Sequence, residues 1–110
     1  MVELGRRAVA CKGWRWMPGM LVCTPRTIPS RFTEDEDWAP DCDDWPDLSD
    51  PCTLGGLLAL VREAWGRPGL TTKLHPVLGW ILIDGHDDPI KSVAKDTEAE
   101  ALVSALEAAP

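Results

Sequence analysis

A chain of 110 residues, 45% hydrophobic and 26% charged, is long enough to bury one core, too short for two, and unlike a disordered chain in composition. No apolar run approaches the roughly 18–20 residues of a membrane span, and the opening MVELGRRAVACKGW lacks the apolar stretch of a secretory signal, so a cytoplasmic protein is expected. A formal charge of −7 argues against general affinity for DNA or RNA, which comes from neutralising phosphates with Lys and Arg.

The first predicted element is a helix from Val2 to Lys12, with Leu4, Ala8 and Cys11 on one side, Arg6 and Arg7 outside and Gly13 as a left-handed stop. Gly5 inside it costs up to about 1 kcal/mol relative to Ala. Trp14 and Trp16, two apart, share one face of an extended segment. Met17-Pro18-Gly19-Met20 has Pro and Gly at the centre of a type II turn, and a strand from Met20 to Thr24 leaves it. A short extended piece, Thr27 to Phe32, belongs at a sheet edge because Pro29 interrupts it. Thr33 to Asp47 is an acidic loop, pinned to the body by Trp38 and Trp45 with its carboxylates in water.

The central helix is written most fully. Asp50 caps it, Pro51 suits its first turn, and Gly66 followed by Arg67-Pro68 stops it. Leu54, Leu57, Leu58, Val61 and Trp65 form its apolar stripe and look for a sheet, with Arg62 and Glu63 turned to water. Gly55-Gly56 inside it lacks the frame of a phosphate loop and suggests close backbone packing. After a linker, Arg67 to Thr72, a buried strand is predicted from Val77 to Asp84. A turn at Asp84 to Pro89 and a returning strand from Ile90 to Ala94 follow. The last helix opens on Thr97-Glu98-Ala99-Glu100, a capping box, and buries Ala99, Leu102, Val103 and Leu106. These elements predict one α+β domain over residues 1–110, with a small antiparallel sheet of three to five strands against the central helix and the C-terminal helix beside the first.

Charge is segregated along the chain. Residues 1–32 carry six Lys or Arg against one acid, residues 33–50 carry nine acids and no base, and the rest carries five bases against eight acids. A field of that sign attracts a basic protein surface. The candidate partner-binding residues are therefore Glu34, Asp35, Glu36, Asp37, Asp41, Asp43 and Asp44. Six tryptophans beside one phenylalanine and no tyrosine supply a second candidate surface, since Trp is favoured at binding hot spots. Trp65 and Trp80 suit the core; Trp14, Trp16, Trp38 and Trp45 are the candidates.

Reaction chemistry is not specified. Asp41-Cys42-Asp43-Asp44-Trp45-Pro46 begins a calcium loop and fails it at Trp45 and Pro46. Asp84, His86, Asp87 and Asp88 have the composition of a polar hairpin tip. Cys11, Cys23, Cys42 and Cys52 are expected to be free thiols, buried or half-buried. Zinc on these cysteines with His75 and His86 is the sharper alternative, but no Cys-x-x-Cys or His-x3-His pair starts such a site. No cofactor, no metal and no enzymatic activity are expected.

Three blocks, RRAVACKGWRWMPGML, PDLSDPCTLGGLLALVREAWG and TEAEALVSALEAAP, resemble a group of small proteins encoded by bacteriophages and prophages. The resemblance covers about half of the chain. It implies a phage origin and no particular reaction, because no chemistry is assigned to that group. With the acidic segment, it leads to an expected non-enzymatic accessory protein that binds a host protein, in the manner of inhibitors that occupy the nucleic-acid channel of a CRISPR complex. The alternative is a structural or assembly protein that pairs with itself or a phage partner through Trp and Leu surface.

Overall fold

Asp50 starts the central helix by local chemistry alone. Its backbone is extended (φ −84°, ψ 126°) and its carboxylate accepts the Thr53 N–H at 3.0 Å, while Pro51 fills the first turn. At the other end Gly66 is left-handed (φ 63°), its N–H donates to the Glu63 carbonyl and the Arg67 N–H to the Arg62 carbonyl. This is a Schellman motif, and it ends the helix at Trp65.

The computed structural model describes residues 2–34, 40–84 and 95–110. Among them run α1 (Val2–Val9), β1 (Leu21–Cys23), β2 (Ser30–Arg31), β3 (Trp45–Pro46), α2 (Pro51–Trp65), β4 (Thr71–His75), β5 (Gly79–Ile83) and α3 (Glu98–Glu107). The fold is α+β and all its strand pairs are antiparallel, but they form two sheets, β2-β1-β3 and β4-β5. The expected return strand Ile90–Ala94 lies outside the described residues, as does most of the expected turn before it. Lys95, just beyond, bridges to Trp80 on β5 with bonds of 2.7 and 2.9 Å.

The type II turn forms as its residues dictate, with Gly19 at φ 92° and the Met20 N–H on the Met17 carbonyl at 3.1 Å. Trp14 to Met17 is not a strand, yet the two indoles do share a side and meet edge to face, centroids 5.3 Å apart. α1 ends at Val9, earlier than Lys12, and Gly13 is not left-handed. Instead Gly13 lies against Leu106 and Ala64, where an added Cβ would come within 3.1 and 3.3 Å. Gly5 has a comparable reason: a Cβ there would sit 2.9 Å from the Pro46 carbonyl oxygen, so its low helix propensity is exchanged for close approach of α1 to β3.

Two strands contradict the sequence-based expectation. Trp45–Pro46, assigned to a loop, pairs with β1 through Val22 opposite Pro46 and Cys23 opposite Trp45. Thr71–His75, assigned to a linker and the chain after it, pairs with β5 from Thr71 opposite Ile83 to His75 opposite Gly79. The predicted strand from Val77 accordingly starts two residues later, because Pro76, Val77 and Leu78 make the hairpin turn. The His75 Nδ1 holds that turn by accepting the N–H groups of Val77 and Leu78 at 3.1 and 3.0 Å.

The core gathers around α3, not around α2. Ala99, Ala101, Leu102, Val103, Ala105 and Leu106 are all buried, because α1, α2 and the β4-β5 hairpin pack around this one helix. Thr97 caps it by accepting the Glu100 N–H at 3.1 Å. Met20, Leu48, Leu57, Leu60, Val61, Leu70 and Leu82 complete the cluster. Each fully buried Leu or Val contributes about 1.5–3 kcal/mol. On α2 the fully buried positions are Thr53, Leu57, Leu60 and Val61, whereas Leu54, Leu58 and Trp65 are half-buried against the cluster. The stripe is thus rotated from the predicted one. Thr53 is buried because its hydroxyl accepts the Leu21 N–H at 2.9 Å and bonds the Asp50 carboxylate, tying α2 to β1. Arg62 is not turned to water either, since its Nε donates to the Leu70 carbonyl at 2.6 Å.

Candidate functional site

The basic arm and the acidic segment that follows it meet in space. Arg26 reaches Asp43 at 3.0 Å and Asp41 at 3.6 Å, both from the surface. Arg31 grips Asp50 with its two terminal guanidinium nitrogens, at 2.5 and 2.8 Å. Arg15 pairs with Glu63 at 2.6 Å and Arg7 with Glu107 at 2.6 Å. Among the described residues, four of the six cations in residues 1–32 therefore meet acids, and Arg6 covers the Trp45 ring at 5.5 Å.

Of the predicted acidic surface, Glu34 and Asp41 are exposed and Asp43 is half-buried. Asp44 is a correction: it is only 5% exposed and works inside the fold. Its Oδ2 accepts the Asp41 N–H at 2.8 Å and its own N–H donates to the Asp41 carbonyl, closing a turn that leads into β3. Its Oδ1 is buried without a hydrogen-bond partner. Asp35, Glu36, Asp37 and Trp38 lie outside the described residues. The other predicted aromatic residues, Trp14, Trp16 and Trp45, are all half-buried, and the first two pack on the core cluster. Their larger faces serve the fold.

The Arg31 guanidinium, with help from the Thr53 hydroxyl and N–H, holds the Asp50 carboxyl well below the usual carboxylate range. Arg7 lowers Glu107 in the same way. A depressed carboxyl stabilises the fold above its unfolded pKa of about 4 and loses that contribution as pH falls through its folded value. Asp50→Asn and Glu107→Gln should therefore each be less stable than wild type at pH 7, and the gaps should narrow as urea midpoints are measured down to about pH 2.5. Gaps that stay constant with pH would assign the loss to packing.

Burial pushes the Cys11 and Cys23 thiols up, with nearby Glu107 and Asp47 adding to it, so both stay protonated and poorly nucleophilic at neutral pH. Cys11 donates to the Arg7 carbonyl at 3.3 Å. Cys42 and Cys52 are exposed, contrary to the expected burial, and all four thiols are free. Among the described residues no three His, Cys, Asp or Glu side chains are grouped to hold a metal. His75 is engaged in its own turn, Asp84 approaches Arg67 at 3.9 Å, and His86, Asp87 and Asp88 lie outside the described residues. Among the described residues no helix is long and apolar enough to cross a membrane.

Two surface features are absent from the sequence-based list. Leu74, Val77 and Leu78 project from the β4-β5 hairpin with 60%, 84% and 53% of their surface exposed. A cleft of about 380 Å³ is lined by Pro51, Leu54, Gly55, Leu58 and Glu98. The hairpin residues were within reach of sequence reasoning, because His-Pro-Val-Leu-Gly brackets Val77-Leu78 between two turn residues. Neither protein-family models nor curated proteins nor solved structures provide a match to this chain.

Proposed function

We propose that this chain is a non-enzymatic, phage- or prophage-encoded accessory protein that acts in the bacterial cytoplasm by binding a host protein with a basic surface. The observation that carries this reading is the uneven use of its cations. Arg7, Arg15 and Arg31 are engaged by acids outside the segment from Glu34 to Asp43, and among the described residues Arg26 is the cation that reaches into it. That segment holds six acids and no base in its sequence, a negative excess of its own. Such a field accelerates encounter with a basic groove and weakens with salt, as nucleic acid does in the same groove. Occupying the nucleic-acid channel of a host defence complex, as CRISPR inhibitors do, is the use that fits the resemblance to phage proteins.

The test neutralises Glu34→Gln, Asp35→Asn, Glu36→Gln and Asp37→Asn together, and separately Asp41→Asn and Asp43→Asn, against a partner captured from bacterial lysate. Asp44 is left intact, because its carboxylate holds the turn before β3. Each variant should keep the wild-type urea midpoint, bind about tenfold more weakly at low salt, and show a flatter salt dependence. Duplex DNA should compete with the wild type for the partner. Wild-type affinity in both variants would reduce the segment to a solubilising surface.

A further inference from the structure

Arg26 stands in the loop from Thr24 to Pro29 that joins β1 to β2, with Pro25 before it and Pro29 after. Among the described residues the polar contacts of that loop are few. The Thr27 hydroxyl donates to the neighbouring Ile28 carbonyl, and the Arg26 guanidinium spans Asp43 at 3.0 Å and Asp41 at 3.6 Å. The Arg26 side chain is 67% exposed, so water competes for both contacts. Surface pairs of this kind contribute little to stability. Letting go of Arg26 therefore costs the fold almost nothing.

The carboxylates that receive it are held in place. Asp44, buried, accepts the Asp41 N–H at 2.8 Å and returns its own N–H to the Asp41 carbonyl at 3.1 Å, which fixes the turn from Asp41 to Asp44. That turn runs straight into β3, whose pairing with Val22 and Cys23 anchors it to the sheet. Asp41 meets one terminal nitrogen of Arg26 and Asp43 the other. Two carboxylates set on the two terminal nitrogens of one planar fork match a guanidinium better than an ammonium. An exposed cation on a lightly tied loop thus fills a place that the fold keeps ready.

We propose that Arg26 is an internal competitor: it holds the place of an arginine on the partner's basic surface, and binding exchanges one guanidinium for the other between Asp41 and Asp43. This rests on the reading of the segment from Glu34 to Asp43 as the partner-binding surface, and adds to it the partner's side chain and the contact that must open. The ion pairs at Asp41 and Asp43 are the same before and after the exchange. Arg26 therefore weakens binding by the strength of its own hold on them.

The test titrates the full chain into a labelled octa-arginine peptide at low salt and follows fluorescence anisotropy. Arg26→Gln should bind the peptide about three- to fivefold more tightly than wild type, since no surface ion pair has to be displaced. With Asp41→Asn and Asp43→Asn already in place, the same substitution should gain less than about twofold, because only the general field changes. Preference for octa-arginine over octa-lysine should shrink in that neutralised background. Because Arg26 is exposed, its variant should keep the wild-type urea midpoint. In the wild type itself, the Arg26 Nε–H resonance should move toward that of free arginine as the peptide saturates the chain. An Arg26→Gln affinity no higher than wild type overturns the proposal. So does an equal gain or an unchanged arginine preference in the neutralised background, or an Arg26 resonance unmoved at saturation. Host-partner binding that ignores the acidic substitutions sinks the underlying reading instead, and the peptide titration tells the two failures apart.

Discussion

Leu57→Ala should cost about 2–5 kcal/mol, against a total stability of about 5–15 kcal/mol for a domain of this kind, and Leu58→Ala should cost less than half as much. The difference is one of position on α2. Leu57 is fully buried beside Leu60 and Val61, facing α3, while Leu58 is half-buried at the rim of the surface cleft. Removing three carbons from Leu57 leaves a cavity that surrounding Leu and Val side chains can only partly fill, and the cavity adds to the lost transfer energy. At Leu58 water reaches the vacated space. Urea unfolding of both variants decides the matter, and a larger loss at Leu58 would mean that α2 is rotated from the orientation described. From periodicity alone Leu58 stands in the stripe and Leu60 does not, since apolar residues occur almost all round α2. Only the position of α3 and the bond from Leu21 to Thr53 select which side is inside.

That contrast runs through the chain. Helix ends were legible because caps act over four residues: Asp50, Pro51 and Gly66 for α2, Thr97 for α3, and Pro18-Gly19 for the turn before β1. β3 and β4 were not, because neither carries an apolar alternation of its own. Trp45–Pro46 is a strand only by its pairing with Val22 and Cys23, and Thr72 puts a hydroxyl, not a methyl stripe, toward α3 to meet Glu98. The candidate site suffered from the same distance. Nine acids without a base is a true description of residues 33–50, but Arg26 and Arg31 arrive from the preceding segment and Asp44 turns inward. Residue type gave the charge of that segment correctly and could not say which carboxylates remain in water.

Gly79→Ala should cost about 2–4 kcal/mol, because two separate penalties meet at one Cβ. At φ 85° Gly79 occupies the left-handed half of conformational space as β5 leaves its three-residue turn, where an L side chain is strained by about 1–2 kcal/mol. The added methyl would also stand 2.6 Å from the Lys95 carbonyl oxygen, well inside van der Waals contact. That oxygen cannot yield freely, since it accepts the Trp80 N–H at 2.7 Å while the Lys95 N–H returns to the Trp80 carbonyl. Relief requires opening the bridge, with about 1 kcal/mol lost for each of its two bonds, and loosening the lead into α3 on which the core is assembled. Gly55→Ala is the control: with open space around its Cβ and ordinary helical geometry, it should gain up to about 1 kcal/mol. Urea midpoints give the energies, and amide exchange at Trp80 and Lys95 locates the damage, which should appear there first in Gly79→Ala. Equal stability of the two alanine variants would show that the Trp80–Lys95 bridge does not hold the hairpin to α3.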